Sequence, residues 1–462
     1  MSLFSNAYPT EDLRRLDEAH HIHPFMDTAM LKKDGVRVIV SADGVWLTDS
    51  DGNRILDGMA GLWCVQIGHG RAEIAEAVQA QMAELAYYNT FFKTTHPAAI
   101  ALAEKVTSLA PAHMNRVFFV GSGSEANDTV LRMVRHYHDV LGKPEKKTVI
   151  ARWNAYHGST FAGASLGGMK AMHKQGDGPL PGIHHIAQPY WFGEGGDLSP
   201  HDFGIKAARA LEEAIDALGE DKVAAFIAEP IQGAGGVIIP PESYWPEVKR
   251  ILKERDILLV VDEVITGFGR TGNWFGSTTF DLEPDLMPIA KGLSSGYLPI
   301  GGVLVADRVA EVLERGGEFY HGYTYSGHPV CCAAALKNLE IMEAENVVGH
   351  VRDIAGPALQ KGWLALAEHP LVGEARMVGL VGALELVPAK PDRRRFANEG
   401  EIGTLCRDLS FRNGLVMRAV RDSMIISPPL VITEDEIGLL LDKVKQTLDD
   451  THAELKRRGL MA

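Results

Sequence analysis

Ile257-Leu258-Leu259-Val260-Val261-Asp262-Glu263-Val264-Ile265-Thr266-Gly267-Phe268-Gly269-Arg270-Thr271-Gly272 is the most informative run in the chain, and Leu286-Met287-Pro288-Ile289-Ala290-Lys291-Gly292 completes it. The first five residues are continuously apolar and follow a charged stretch, Lys253 to Asp256. A short apolar run of this kind reads as a strand covered on both faces, as in a parallel sheet. It stops at two acids, Asp262 and Glu263. A carboxylate at the carboxyl end of a buried parallel strand stands where open α/β sheets bind ligands. A loop with three glycines follows, and the second apolar piece delivers Lys291. One buried strand thus ends on an acid and the next apolar segment on a lysine.

An acid and a lysine brought together in this way suit pyridoxal phosphate (PLP). A lysine amine condenses with its aldehyde, and an aspartate keeps its pyridine nitrogen protonated so that the ring can accept electrons. Taken alone, the pair is better explained as a helix cap and a solvated loop lysine. The literal run Asp262 to Gly272, followed by Ala290-Lys291-Gly292, resembles the signature of the class III aminotransferases. The resemblance implies PLP dependence and the fold type I architecture. That is an α/β fold with a large domain, built on a mostly parallel seven-stranded sheet flanked by helices, and a small α+β domain made from both termini. The expected division is residues 1–70 and 336–462 for the small domain and 71–335 for the large one. The resemblance makes Lys291 the Schiff-base lysine, Asp262 the partner of the pyridine nitrogen and Val264 a packing residue under the ring.

The composition fits such an enzyme and excludes others. The 462 residues suffice for two or three domains. Net charge is −14, from 46 basic and 60 acidic residues, which argues against nucleic-acid or anionic-membrane partners. Arg393-Arg394-Arg395 is the only basic cluster. Cys64, Cys331, Cys332 and Cys406 show no disulfide or metal-ligand spacing, so no metal is expected and free thiols fit a reducing, cytoplasmic setting. The polar start, Met1 to His23, lacks the apolar core of a signal peptide, and no uncharged apolar run of membrane-spanning length occurs.

Along the chain, Val36–Val40, Val45–Asp49 and Arg54–Asp57 are expected as a meander that joins the C-terminal part in space. Ala72–Leu85 and Pro97–Leu109 read as helices. Val117–Val120 reads as a strand running into Gly121-Ser122-Gly123-Ser124-Glu125-Ala126-Asn127 and a helix. Strand, Gly/Ser loop and helix start form an anion site, because amide N–H groups and the helix dipole favour negative charge. The same loop satisfies the loose dinucleotide pattern, which asks for an acid ending the next strand. That strand, Thr148–Ala151, ends in Arg152-Trp153-Asn154 instead. A phosphate site remains, and a nicotinamide dehydrogenase becomes the weaker alternative. By resemblance Gly123 and Ser124 hold the PLP phosphate, Tyr156 stacks on the ring and His157 lies beside it.

Residues 163–204, rich in Gly, Pro and His, read as a long loop. Helices are expected over Lys206–Leu218 and Tyr244–Glu254, about 330–346, 348–367 and 400–413, and Glu434–Arg457. Val223–Ala228, Pro299–Ala306, Val378–Leu386, Gly414–Arg418 and Met424–Ser427 are expected strands. The resemblance places Glu229 and Gln232 near the ring hydroxyl. It makes Leu62, Trp63, Tyr156, Ala234 and Arg418 substrate contacts and gives Thr324 to the phosphate of a neighbouring subunit, hence a homodimer with interfacial sites. Arg418, at an apolar strand's end, either salt-bridges or binds a carboxylate. The activity implied is ping-pong transfer of an amino group from a terminal amine or ω-amino acid to a keto acid, pyruvate foremost. An aminomutase or decarboxylating transaminase is the alternative within the fold.

Overall fold

The computed structural model describes residues 8–390 and 393–461. Part of the polar start (1–7), two residues of the basic loop (391–392) and the last residue lie outside them. The described residues form sheets of three, seven and four strands. β1 (Ile39–Asp43), β2 (Trp46–Asp49) and β3 (Arg54–Leu56) make an antiparallel meander. The large sheet contains β4 (Arg116–Val120), β5 (Thr148–Arg152), β6 (Ile183–Ile186), β7 (Val223–Ala228), β8 (Leu258–Val261), β9 (Leu286–Ile289) and β10 (Gly301–Val305). The last sheet holds β11 (Val372–Val378), β12 (Val381–Leu386), β13 (Arg418–Val420) and β14 (Ser423–Ile426).

The large sheet runs in the order β4-β10-β9-β8-β7-β5-β6. β10 is antiparallel to both its neighbours, and the other pairings are parallel. Every strand but β10 therefore points the same way, and their carboxyl ends share one edge. β8 shows why the sequence reads as it does. Leu258 and Val260 pack with Ala126 and Val130 of the helix Gly123–Val140. Leu259 and Val261 face the other way, onto Leu211 and Val248 of the helices Pro200–Leu218 and Tyr244–Glu254. Side chains alternate along a strand, so a run apolar at every position needs both faces covered. Each buried aliphatic side chain contributes roughly 1.5–3 kcal/mol before entropy. The alternation continues into the two acids: Asp262 falls on the face of the Gly123–Val140 helix, Glu263 on the opposite one.

The meander meets the C-terminal part as expected: Leu56 N donates to Gly414 O (3.0 Å) and Val416 N to Leu56 O (2.9 Å). Helices Tyr244–Glu254 and Glu434–Arg457 have the expected limits, the latter started by a Thr433/Glu436 capping box. Other elements differ. β1 begins at Ile39 rather than Val36. The expected loop 163–204 contains the helices Lys170–Gly176 and Trp191–Glu194 and the edge strand β6, and its last part opens the helix at Pro200, where Ser199 caps Asp202 N. The expected strand 378–386 is the second arm of a hairpin turning at Gly379, whose φ is +54°. The strand expected over 414–418 starts only at Arg418. The helix expected over 348–367 contains a π-helical turn, Val351–Ala355. The 335/336 boundary cuts the helix Pro329–Ala344. Among the described residues no helix is long and apolar enough to cross a membrane.

Candidate active site

The loops at the shared carboxyl edge enclose a cavity of about 370 Å³. β4 supplies its first wall. Ser122 Oγ accepts Glu125 N (3.2 Å) and Glu125 Oε2 accepts Gly121 N (2.6 Å), so side chains cap both ends of the turn that starts the helix. Gly123 and Ser124 line the cavity at that helix start. A Cβ on Gly123 would lie 3.0 Å from Val264 Cγ1, and one on Gly158 only 2.6 Å from Ser124 Oγ. Glycine at both positions lets three loops close around one small volume. Ser124 Oγ in turn accepts Ser159 N (3.0 Å).

The loop after β5 brings in Tyr156 and His157, and β7 ends on Glu229; all three line the cavity. Glu229 is 3% exposed. Its Oε1 accepts Tyr156 N (3.2 Å) and its Oε2 accepts Gly233 N (2.9 Å). Burial pushes its pKa up, the His157 side chain opposes that, and the Asp262 charge adds to it. β8 ends on Asp262, 4% exposed. His157 Nδ1 donates to Asp262 Oδ2 (2.7 Å), as does Asn127 Nδ2 (2.9 Å), while among the described residues Oδ1 accepts only Val264 N (3.1 Å). Glu263, on the other face, accepts Gly276 N (2.9 Å), Ser277 N and Thr266 Oγ1 (2.5 Å) and fixes the loop behind. Two neighbouring acids thus do separate jobs, one in the cavity and one in the scaffold.

β9 delivers Lys291, which lines the cavity in the left-handed region at φ +44°. Such backbone costs a non-glycine residue roughly 1–3 kcal/mol and tends to mark functional sites. Burial pushes the Lys291 amine down from its ordinary value, with the Asp262 charge opposing, and among the described residues no hydrogen bond offsets the burial. A lysine whose neutral form is favoured can attack a carbonyl or take a proton. Arg418, the first residue of β13, is half-buried. Burial lowers its pKa, the Tyr156 phenol opposes that, and among the described residues it has no ion-pair or hydrogen-bond partner.

Gly123, Ser124, Tyr156 and His157 therefore meet Glu229, Asp262, Val264 and Lys291 around one cavity. The other expected contacts are placed elsewhere. Trp63 is 1% exposed and enclosed with Met59, Val381 and Ile425, in the same cluster as the cavity residue Ile265. It is not among the lining residues. Leu62 is 59% exposed, and Ala234 is buried outside the lining. Gln232 is buried, donating to Trp153 O (3.0 Å). Thr324 lies on the surface, its carbonyl accepting Tyr87 Oη (2.7 Å) near the exposed Tyr88, Phe92 and Tyr325. Asn127, one helical turn beyond Gly123, is a cavity residue that sequence reasoning missed. Its signal was the i, i+4 spacing from Gly123, which puts it on the loop's side of the helix.

The amide-lined helix start suits a phosphate, the buried carboxylate a protonated ring nitrogen and the neutral-leaning amine an aldehyde. The donor set therefore fits pyridoxal phosphate. The family model for class-III aminotransferases matches residues 29–448. The chain belongs to that family. It is 60% identical to the putrescine–pyruvate aminotransferase of Pseudomonas aeruginosa over 96% of this chain and 97% of that one. It is 42% identical to the diaminobutyrate–2-oxoglutarate transaminase of Halomonas elongata, over 92% of each chain. Among solved structures, an (S)-enantioselective ω-transaminase from Thermomicrobium roseum superposes with a TM-score of 0.93 at 40% identity, covering 96% of this chain and 99% of that one. An ω-transaminase from Pseudomonas jessenii in complex with PMP gives 0.93 at 39%, with the same coverage. As a class-III aminotransferase the chain is a pyridoxal-phosphate enzyme of fold type I.

Proposed function

We propose that this aminotransferase takes the terminal amino group of a linear diamine, putrescine first, and passes it to pyruvate. The observation that carries the acceptor half is Arg418, a guanidinium under the influence of the Tyr156 phenol with no partner of its own among the described residues. A planar fork in that state suits the carboxylate of a keto acid. The donor half rests on the 60% identity to the Pseudomonas aeruginosa enzyme.

Pyridoxal phosphate, when bound, supplies an aldehyde for the donor nitrogen and a ring that takes up the electrons released at the donor carbon. The amides of Gly123 and Ser124 would hold its phosphate. Asp262 Oδ1, with one backbone donor, would receive the pyridine N–H, and Tyr156 and Val264 would pack against the ring. Lys291 Nζ, whose neutral form burial favours, takes the proton from the donor carbon and returns it one position along, and runs the same transfer backwards for the keto acid. Glu229 holds the Tyr156 and Gly233 backbones in place. The exposed Thr324 and its aromatic neighbours favour a homodimer in which Thr324 completes the phosphate site of the other subunit. Four free thiols favour the cytoplasm.

The test is a panel of putrescine, longer diamines, β-alanine and aryl amines, each with pyruvate, following alanine. Putrescine should give the highest kcat/KM. Tenfold faster use of β-alanine or of an aryl amine would remove the diamine reading.

A further inference from the structure

Three acceptors converge on the carboxamide of Asn127. Its Nδ2 lies 2.9 Å from Asp262 Oδ2, 2.9 Å from His157 O and 3.3 Å from Gly123 O. Because all three accept, the nitrogen end of the amide must face them. The side chain is 1% exposed, and Oδ1 on its far end is buried without a partner among the described residues. Helix formation does not ask for this residue. Asparagine ranks low as a helix former, and a buried amide is costly unless its polar atoms are bonded. Of the other buried positions nearby on that helix, Ala126 and Val130 are apolar and pack on β8, and Thr129 is bonded within the helix to Glu125 O (2.8 Å).

We propose that Asn127 is a positioning residue that orients the Asp262 carboxylate towards the cofactor ring and ties that carboxylate to the phosphate-binding turn. A carboxylate offers about four lone-pair directions. On Asp262, Oδ2 is engaged by both His157 and Asn127, and Oδ1 by Val264 N alone. The open direction is therefore on Oδ1. Two donors on one oxygen stop the carboxylate from turning, so the same oxygen always faces the cavity. The bond to His157 O fixes the ring-facing loop to the same amide, and Gly123 O at the helix start, the more distant acceptor at 3.3 Å, shares one of its two hydrogens. Without Asn127, Oδ2 keeps one side-chain donor and the carboxylate gains freedom to rotate. The inference is independent of which amine the enzyme uses.

A double-mutant cycle tests it, read as cofactor affinity from fluorescence quenching on titrating apoenzyme with pyridoxal phosphate. Asn127→Ala should weaken binding at least tenfold, equivalent to about 1.4 kcal/mol. In an Asp262→Asn background the same change should cost less than threefold, because the group it orients no longer carries the charge. A residue that only fills space would cost the same in both backgrounds, and that result overturns the proposal, as does a loss under threefold in the native background. Asn127→Asp separates the roles again. It keeps the shape but removes the donors and places a second carboxylate against Asp262, so it should weaken cofactor binding at least as much as alanine does. Milder damage from aspartate than from alanine would show that shape alone matters. Should the alanine variant not be recovered folded, Asn127→Ser is carried through the same cycle with the same limits.

Discussion

Replacing Arg418 with alanine should damage one half of the reaction and spare the other. The guanidinium starts β13, outside the lining of the cavity, and its charge acts on the cavity residues Tyr156 and Lys291. Having no ion-pair partner among the described residues, it leaves no carboxylate stranded when removed. Arg376 differs, since it is clamped between Glu374 (2.5 Å) and Glu385 (2.7 Å), and its loss would strand buried charge. The cost at Arg418 is therefore mainly the lost contact with the substrate carboxylate, about 1.5–3 kcal/mol for a hydrogen bond to a charged group. That is a fall of roughly 10- to 150-fold in kcat/KM for pyruvate. An amine without a carboxylate makes no such contact, and the long side chain can swing its head back to water when a bulky or cationic donor enters. Single-turnover absorbance measurements of the two half-reactions separate the effects. Arg418→Ala should slow the pyruvate half by about that factor and leave the putrescine half within a few-fold. Equal losses in both halves would show that Arg418 is structural and that the keto acid's carboxylate is held elsewhere.

Asp262→Asn should fold and lose several orders of magnitude in rate, because the ring nitrogen loses the charge that keeps it protonated; a loss below about tenfold, roughly 1.4 kcal/mol of barrier, would remove Asp262 from that role. Mixing inactive Lys291→Ala chains with cofactor-weak Thr324→Ala chains should restore part of the activity, since one site in each hybrid dimer has both residues intact; an active monomer by sedimentation would refute the shared site. Burial pushes His138 and His185 down to about 4. Between about pH 6.5, where free histidine titrates, and pH 4 the unfolded chain binds protons that the folded chain does not, so stability is full above that range and falls as pH drops through it. His138→Gln keeps a donor for Ala224 O and removes one titration, so its urea midpoint should fall less than that of wild type between pH 7.5 and 5; an equal fall would mean that His138 is not held neutral.

What the sequence made legible depended on how local the cause was. β8 and Asp262 could be read because an apolar run ending in an acid carries its own explanation: both faces buried, one ligand edge. Lys291 followed from the same logic one strand on. β6 escaped notice because four residues with two central histidines have no periodicity, and only pairing with β5 makes them a strand. β11 escaped because Glu374 and Arg376 look like solvent-facing charges, whereas Arg376 spans to Gly236 O and Val237 O and pairs with Glu385. Trp63 was expected at the substrate and is buried in an apolar cluster with Ile265, outside the cavity's lining, since chain order does not tell which side of a glycine-rich loop an indole turns to. Asn127 has an ordinary helical address, and its three acceptors arrive from 4, 30 and 135 residues away.

The central claim is that this chain moves the amine nitrogen of putrescine to pyruvate through Lys291. Incubating the purified enzyme, loaded with pyridoxal phosphate, with 15N-putrescine and unlabelled pyruvate tests it most directly, with alanine followed by mass spectrometry. The account predicts that alanine appears with the label, one nitrogen per turnover, and that Lys291→Ala forms none. Unlabelled alanine, no alanine at all, or labelled alanine made at the normal rate by Lys291→Ala would contradict it.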